Sequence, residues 1–265
     1  MTSGRLTAAR FAVVLAGRGL YHFSTQDAAT ELGGSLASVR AAVRRLEAKG
    51  EVAQPFRGFF VIVPPEYRRL GCLPAEQFIS QLMENLGELY YVALLSAAEL
   101  HGAAHQRPQG LQVMVKKERR ALVCGEVRVS FAARKDLERI PVVERSTPRG
   151  LLRVASIEAT AFELVGYAER CGGLDNVASV LAELGESIHP EKLVSAAVLC
   201  PIAWAQRLGY LFELVGHGTR VDGLASYVEE HARAMAPLVR TGRQVGVERV
   251  ARWKLILNAK VEPEP

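Results

Sequence analysis

Two capped helices separated by Gly33-Gly34, with a hairpin pattern directly after them, constrain this chain more than any other feature of its sequence. Phe23-Ser24-Thr25-Gln26-Asp27 is a helix start: Ser24 can cap, and Asp27 falls in the first turn, where the helix dipole favours a negative charge. The short helix Thr25–Leu32 then ends at Gly33-Gly34, a tight turn with no Cβ to accommodate. Ser35 caps a longer helix that runs to Lys49, with Gly50 in the position that closes helices. Upstream, Thr7–Arg18 reads as a further helix with Phe11, Val14 and Leu15 on one face. Downstream, Glu51–Gln54, the turn Pro55–Gly58 and Phe59–Val63 read as strand, turn and strand, closed by Pro64-Pro65. This order predicts a helix-turn-helix with a β-hairpin wing.

In the helix after Ser35, the residues Leu36, Val39, Val43 and Leu46 are spaced as one buried stripe. The opposite face holds Ala37, Ser38, Ala41, Arg44, Arg45 and Ala48, with Arg40 and Lys49 on its flanks. Small residues allow close approach to base edges in a major groove, and arginines reach guanine edges or phosphates. A solvated basic face on an ordinary amphipathic helix has the same appearance. The wing favours the DNA reading, because its tip offers Arg57 to a phosphate or the minor groove. The expected DNA contacts are therefore Ser38, Arg40, Ala41, Arg44, Arg45, Lys49 and Arg57. Of Phe56, Phe59 and Phe60, two are expected in the core.

The charge is placed accordingly. The net charge is +5, and residues 1–63 carry eight basic against four acidic side chains, leaving +1 for the remainder. A local basic excess beside a near-neutral body is the footprint of a nucleic-acid module.

The fold class expected is α+β: an N-terminal winged helix-turn-helix over residues 1–64, then a second domain over 65–265. That second domain divides into a mixed α/β part, about 65–155, and a mainly helical part, about 156–265. Helices are expected at Ala75–Leu86 and Tyr91–His101, and strands at Leu111–Lys117, Glu126–Ala132, Val142–Ser146 and Leu151–Val154. Helices follow at Ile157–Tyr167, Leu174–Leu184, Pro190–Leu199, Ile202–Val215 and Leu224–Ala234. Trp253–Asn258 reads as a last strand before a disordered Glu-Pro tail.

No enzyme assembles from these residues. Neither a nucleophile elbow nor a P-loop is present, and Gly172-Gly173 and Gly216-His217-Gly218 are plain turns. His101 and His105 have metal-ligand spacing, yet Gly102 follows His101 and no third ligand is in place, so a helix end is the expectation. No cofactor and no metal are expected. Cys72, Cys124, Cys171 and Cys200 are scattered and form no CxxC pair, which suits a reducing cytosol. No apolar run is long enough to span a membrane, and no secretory signal is read at the N-terminus.

Two further basic clusters stand outside the helix-turn-helix. Arg68, Arg69, Lys116, Lys117, Arg119 and Arg120 form one; Arg240, Arg243, Arg249, Arg252 and Lys254 form the other. Each is either solvated surface or a place where Arg68, Arg69, Lys116, Lys117, Arg249 and Arg252 extend a DNA footprint or meet an acidic partner such as tRNA or a toxin.

Three segments carry a family resemblance: Pro65-Glu66-Tyr67-Arg68-Arg69, the run Leu94–Gln106 with its Ser96-Ala97-Ala98-Glu99-Leu100-His101-Gly102 core, and Arg252–Asn258. Together they resemble the AbiEi antitoxins. The resemblance implies a cytoplasmic antitoxin of a type IV toxin–antitoxin pair whose winged helix represses its own operon at promoter inverted repeats. It implies a nucleotidyltransferase-like toxin as functional partner without a stable complex, and a monomer or dimer that pairs on DNA. The competing readings are a one-component regulator with an effector-binding second domain, and an enzyme using His101 or His105.

Overall fold

The computed structural model describes residues 6–103, 108–241 and 247–263. It is a mixed α+β chain with helices and strands at the N-terminus, a central sheet, and helices toward the C-terminus. The first part runs α1 (Ala8–Gly17), β1 (His22–Ser24), α2 (Thr25–Leu32), α3 (Leu36–Ala48), β2 (Val52–Phe56) and β3 (Phe59–Ile62). After 3-10 turns at Pro65–Leu70 and Ala75–Gln77 come α4 (Ile79–Asn85), β4 (Tyr90–Val92) and α5 (Leu94–Leu100). Strands β5 (Leu111–Val115), β6 (Leu122–Cys124), β7 (Val127–Ala133), β8 (Val142–Thr147) and β9 (Gly150–Ala155) follow. The last part is α6 (Ile157–Gly166), α7 (Gly173–Gly185), α8 (Pro190–Ala197), α9 (Ile202–Leu214), α10 (Asp222–His231), then the two-residue strands β10 (Ala236–Pro237), β11 (Arg249–Val250) and β12 (Leu255–Ile256).

The chain forms two compact units. The first comprises Met1–Tyr90, Gln109–Lys135 and Glu144–Arg153. In it, the N-terminal sheet has the order β1-β3-β2, with His22 opposite Val61 and Ser24 opposite Phe59. Its core is aromatic: Phe23 meets Phe11 edge-on at 5.2 Å between ring centroids and stacks on Phe60 at 5.3 Å. Ala28, Val39, Val43 and Leu46 pack around them. Two of the three hairpin phenylalanines are buried, Phe59 and Phe60, and Phe56 is exposed, as the hairpin pattern implies. In the larger sheet β7 lies between β5, to which it runs parallel from Leu111↔Val129 to Val115↔Ala133, and antiparallel β6.

The second unit comprises Tyr91–Pro108, Asp136–Val143 and Val154–Pro265. Val92 pairs with Val154 between β4 and β9, and α6 packs against α5, α7, α8 and α9. Gly209 lies under the Trp253 ring, where a Cβ would stand 2.0 Å from ring carbons, so only glycine lets that indole seat on α9. Within the same unit, Glu163 accepts the Tyr91 hydroxyl at 2.6 Å, and burial pushes the neighbouring Cys171 thiol up to about 12.

The helices expected from capping signals in the first fifty residues agree with the structure to within a residue or two. Four other expectations are corrected. The helix expected at Ala75–Leu86 is a 3-10 turn and then α4, broken at Phe78, which leaves helical geometry to bury its ring. The helix expected at Tyr91–His101 starts only at Leu94, because Tyr90-Tyr91-Val92 is a fully buried strand. Leu36, expected in the buried stripe of α3, is 49% exposed: it stands in the first turn, and the buried stripe begins at Val39. The tail expected to be disordered is held at least to Glu262, whose N–H donates to Asp175 at 2.9 Å, with Val261 buried; Glu264 and Pro265 lie outside the described residues. The very short strands β1, β6, β10 and β11 were not expected, since two or three residues carry no periodicity. Among the described residues, no helix is long and apolar enough to cross a membrane.

Candidate nucleic-acid interface

Local sequence fixes the orientation of α3. Ser35 accepts the Ser38 N–H at 3.2 Å, and the Ser38 hydroxyl donates to the Ser35 carbonyl at 2.8 Å, which leaves that hydroxyl an acceptor toward solvent. With Val39, Val43 and Leu46 buried, a rotation of about 100° per residue puts Ala37, Ala41 and Ala48 in a line on the far side. Arg40 and Arg44 run along one edge of this alanine ridge; Ser38, Arg45 and Lys49 run along the other. All of these residues are exposed. Arg40, Arg45, Lys49 and Arg57 form no salt bridge with any described residue, and Arg44 has Glu47 one turn on. The Glu47 carboxyl is pushed up by its partial burial, with Arg44 acting against that shift. The edge with Ser38, Arg45 and Lys49 borders a groove of about 520 Å³, closed on its other side by Thr7 and Ala8 at the start of α1.

A capping box forms the start of α2, where the turn between β2 and β3 is tied. Ser24 accepts the Asp27 N–H at 3.1 Å, and Asp27 accepts the Ser24 N–H at 2.7 Å. The next residue, Thr25, donates its N–H to the Gly58 carbonyl at 2.9 Å, so the wing turn is tied to that helix end. Phe59 stacks on His22 at 5.7 Å, and burial lowers the pKa of His22 against the pull of Asp27 and Glu84. Arg57 projects from the turn, exposed.

The first unit extends this basic surface with residues distant in sequence. Strand β6 runs beside β2, and the Arg119 guanidinium lies 5.9 Å from the centroid of the Phe56 ring while pairing with Glu88. The exposed Lys116, Lys117 and Arg120 share its loop. Sequence reading put Arg119 in a basic cluster but had no signal for its place on the wing, which is a tertiary contact. Arg149 was missed altogether; its guanidinium stacks on Tyr21 at 3.6 Å. Arg68 and Arg69 are exposed in the turn Pro65–Leu70.

In the second unit two members of the C-terminal basic cluster, Arg252 and Lys254, are engaged in holding the fold. Arg252 pairs with Glu213 at 2.8 Å and with Asp222 at 2.6 Å. The Trp253 indole N–H donates to Glu213 at 2.6 Å, and Lys254 donates to the Glu229 and Ala232 carbonyls at the end of α10. Arg249 and Arg240 are exposed, and Arg243 lies outside the described residues. His101 closes α5, its imidazole nitrogen 2.7 Å from the Ala155 carbonyl; His105 lies outside the described residues. Among the described residues no three metal-ligating side chains come together.

Comparison with known proteins bears on residues 91–214 and on the fold. No curated protein matches the sequence. The chain is similar to the crystal structure of the RV2827C protein from Mycobacterium tuberculosis, with a TM-score of 0.68 and 18% identity over 94% of this chain and 90% of that one. At that identity the likeness is one of fold. Residues 91–214 match the family model of the AbiEi antitoxin C-terminal domain, and this stretch includes the Ser96–Gly102 segment. Over this stretch the chain is similar to the AbiEi antitoxin C-terminal domain family.

Proposed function

We propose that the protein is an antitoxin that also represses its own operon, with residues 6–63 acting as a winged helix-turn-helix on duplex DNA. The observation that carries the DNA part is the exposed Ala37–Ala41–Ala48 ridge of α3 between two basic edges. A ridge of methyl groups enters the major groove without displacing a base edge, and cations on both sides meet guanine edges and the phosphates of either strand. Arg57 on the wing reaches the neighbouring backbone, with Lys116, Lys117 and Arg120 placed to extend the phosphate contacts. Two protomers occupy the arms of an inverted repeat. Arg68, Arg69 and Arg249 are exposed cations that an acidic partner could meet; Arg252 is the weakest of the set, being already paired. The antitoxin part rests on the family likeness of residues 91–214, and its functional partner is a nucleotidyltransferase-like toxin neutralised without a stable complex.

The test is titration of the full chain onto the duplex upstream of its gene. Arg44→Ala with Arg45→Ala should weaken binding by about a hundredfold, roughly 1.4 kcal/mol for each lost contact. The same variant should keep its melting temperature and its rescue of growth when the neighbouring toxin gene is co-expressed. Retained binding overturns the DNA reading, and failure of the unaltered chain to rescue growth overturns the antitoxin reading.

A further inference from the structure

Two turns of the first unit meet backbone to backbone. The Glu126 N–H donates to the Leu70 carbonyl at 2.8 Å. A Cβ on Gly125 would stand 2.1 Å from the Leu70 oxygen and 2.9 Å from the Gly71 Cα, so this approach is open to glycine alone. Both glycines have left-handed φ, +69° at Gly71 and +58° at Gly125. Cys72 and Cys124 each adjoin one of these glycines, and their thiols are hydrogen-bonded to one another. The two are unlike in access: Cys72 is fully buried, Cys124 only partly.

The Cys124 sulfur also receives the N–H of Gln54. Gln54 sits where the pairing of β2 with β3 shifts register, between Ala53 and Phe56. The bulge releases that N–H from the ladder, and the sulfur takes it. Cys124 thus touches the wing strand two residues before Phe56.

We propose that Cys72 and Cys124 form a reversible dithiol site for hydroperoxides, and that its oxidation to a disulfide weakens the hold of the wing on DNA. The second half rests on the DNA-binding reading above. Cys124 is the attacking sulfur, since it is the one solvent reaches. The Cys72 hydrogen bond holds its thiol below the ordinary range, against the effects of burial and Glu47. The same bond, with burial, holds Cys72 well above that range, as suits a resolving thiol. The Cys124 thiolate attacks one peroxide oxygen, the O–O bond breaks, and the departing oxygen leaves as water after taking a proton. Cys72 then gives up its proton and attacks the sulfenic sulfur; the S–O bond breaks and a second water leaves. Two electrons pass from the thiols to the peroxide, and a dithiol reductant restores the pair by exchange. In the disulfide, the Cys124 sulfur is drawn toward Cys72 and the Gln54 N–H loses its acceptor, so the strand bearing Phe56 and Arg57 shifts.

The experiment compares the full chain after hydrogen peroxide with the chain kept in dithiothreitol. Expected are a loss of 2 Da, a linked Cys72–Cys124 peptide, reversal by dithiothreitol, and duplex binding at least about fivefold weaker in the oxidised form. Cys72→Ser should stop at a sulfenic acid on Cys124, trapped by a dione reagent, and Cys124→Ser, at the less buried position, should show no response. A native chain that forms no such link, or links to Cys171 or Cys200 instead, overturns the site. A link that leaves affinity unchanged overturns its effect on the wing. If neither form binds the duplex, the DNA reading falls, and the linked peptide still decides the dithiol site.

Discussion

The basic edges of α3 and the basic cluster around Trp253 look alike in the sequence, yet the structure uses their cations in opposite ways. On α3, Arg40, Arg45 and Lys49 face outward with no salt bridge to any described residue. Around Trp253, Arg252 is held by two carboxylates, and Lys254 satisfies carbonyls that the end of α10 leaves open. The difference follows from what lies beneath each cluster. The α3 arginines stand on a helix whose buried stripe is aliphatic, so nothing below competes for them. Arg252 and Lys254 flank a buried indole seated on α9, and the groups around that indole need donors. A cluster of positive charge therefore points to a ligand only where the fold has not already used it.

The largest test of this contrast removes the indole. Trp253→Ala should cost about 3–5 kcal/mol of stability, because it empties a fully buried site and leaves Glu213 without its N–H donor. Thermal melting checks this. Duplex affinity, measured well below the lowered melting temperature, should be unchanged, since the indole and α3 belong to different compact units. A variant that melts like the parent would mean that the basic cluster is not a structural clasp.

A smaller effect separates single cations. Arg57→Ala should leave the melting temperature alone and lower the slope of log affinity against log salt by about 0.9, one phosphate contact. Arg252→Ala should do the reverse, with an unchanged slope and a loss below about 1 kcal/mol, since the pair is partly open to solvent. If Arg252→Ala alters the slope and Arg57→Ala does not, the roles assigned to the two clusters are exchanged.

The sequence was most legible where structure is local. Ser24 with Asp27, Ser35 with Ser38, and Gly50 after Lys49 announce helix ends through bonds spanning a few residues, and those ends are found where expected. Legibility failed where distant groups decide. Phe78 and Tyr90-Tyr91-Val92 lie in runs with helical character, and burial against other elements overrides it. The candidate interface divides in the same way: the face of α3 could be read from spacing, whereas Arg119 on Phe56, Arg149 on Tyr21 and the meeting of Cys72 with Cys124 join segments more than fifty residues apart. Arg252 was read as surface because a sequence lists its charge and not the carboxylates it meets.

The smallest effect uses pH to tell the two units apart. His22 is half-buried against Phe59, and the cost of desolvating its charged form lowers its pKa in the folded chain, with Asp27 and Glu84 acting against that shift. The unfolded chain takes up a proton at about pH 6.5, before the folded chain does. Stability therefore falls as pH drops through that value, goes on falling until the folded His22 also protonates, and is untouched above about pH 7.5. Melting curves between pH 8 and pH 5 should show this loss in the native chain and a shallower one in His22→Gln. The other titrating groups are common to both chains, so the difference between the two isolates the imidazole. Because His22 borders the strand that carries the wing, the loss should fall on the first unit: amide exchange in β1 and β3 should quicken on acidification more than exchange in α9. Equal acceleration in both, or a His22→Gln chain with the parent's slope, would place the acid sensitivity elsewhere and remove His22 from the account of how the wing is held.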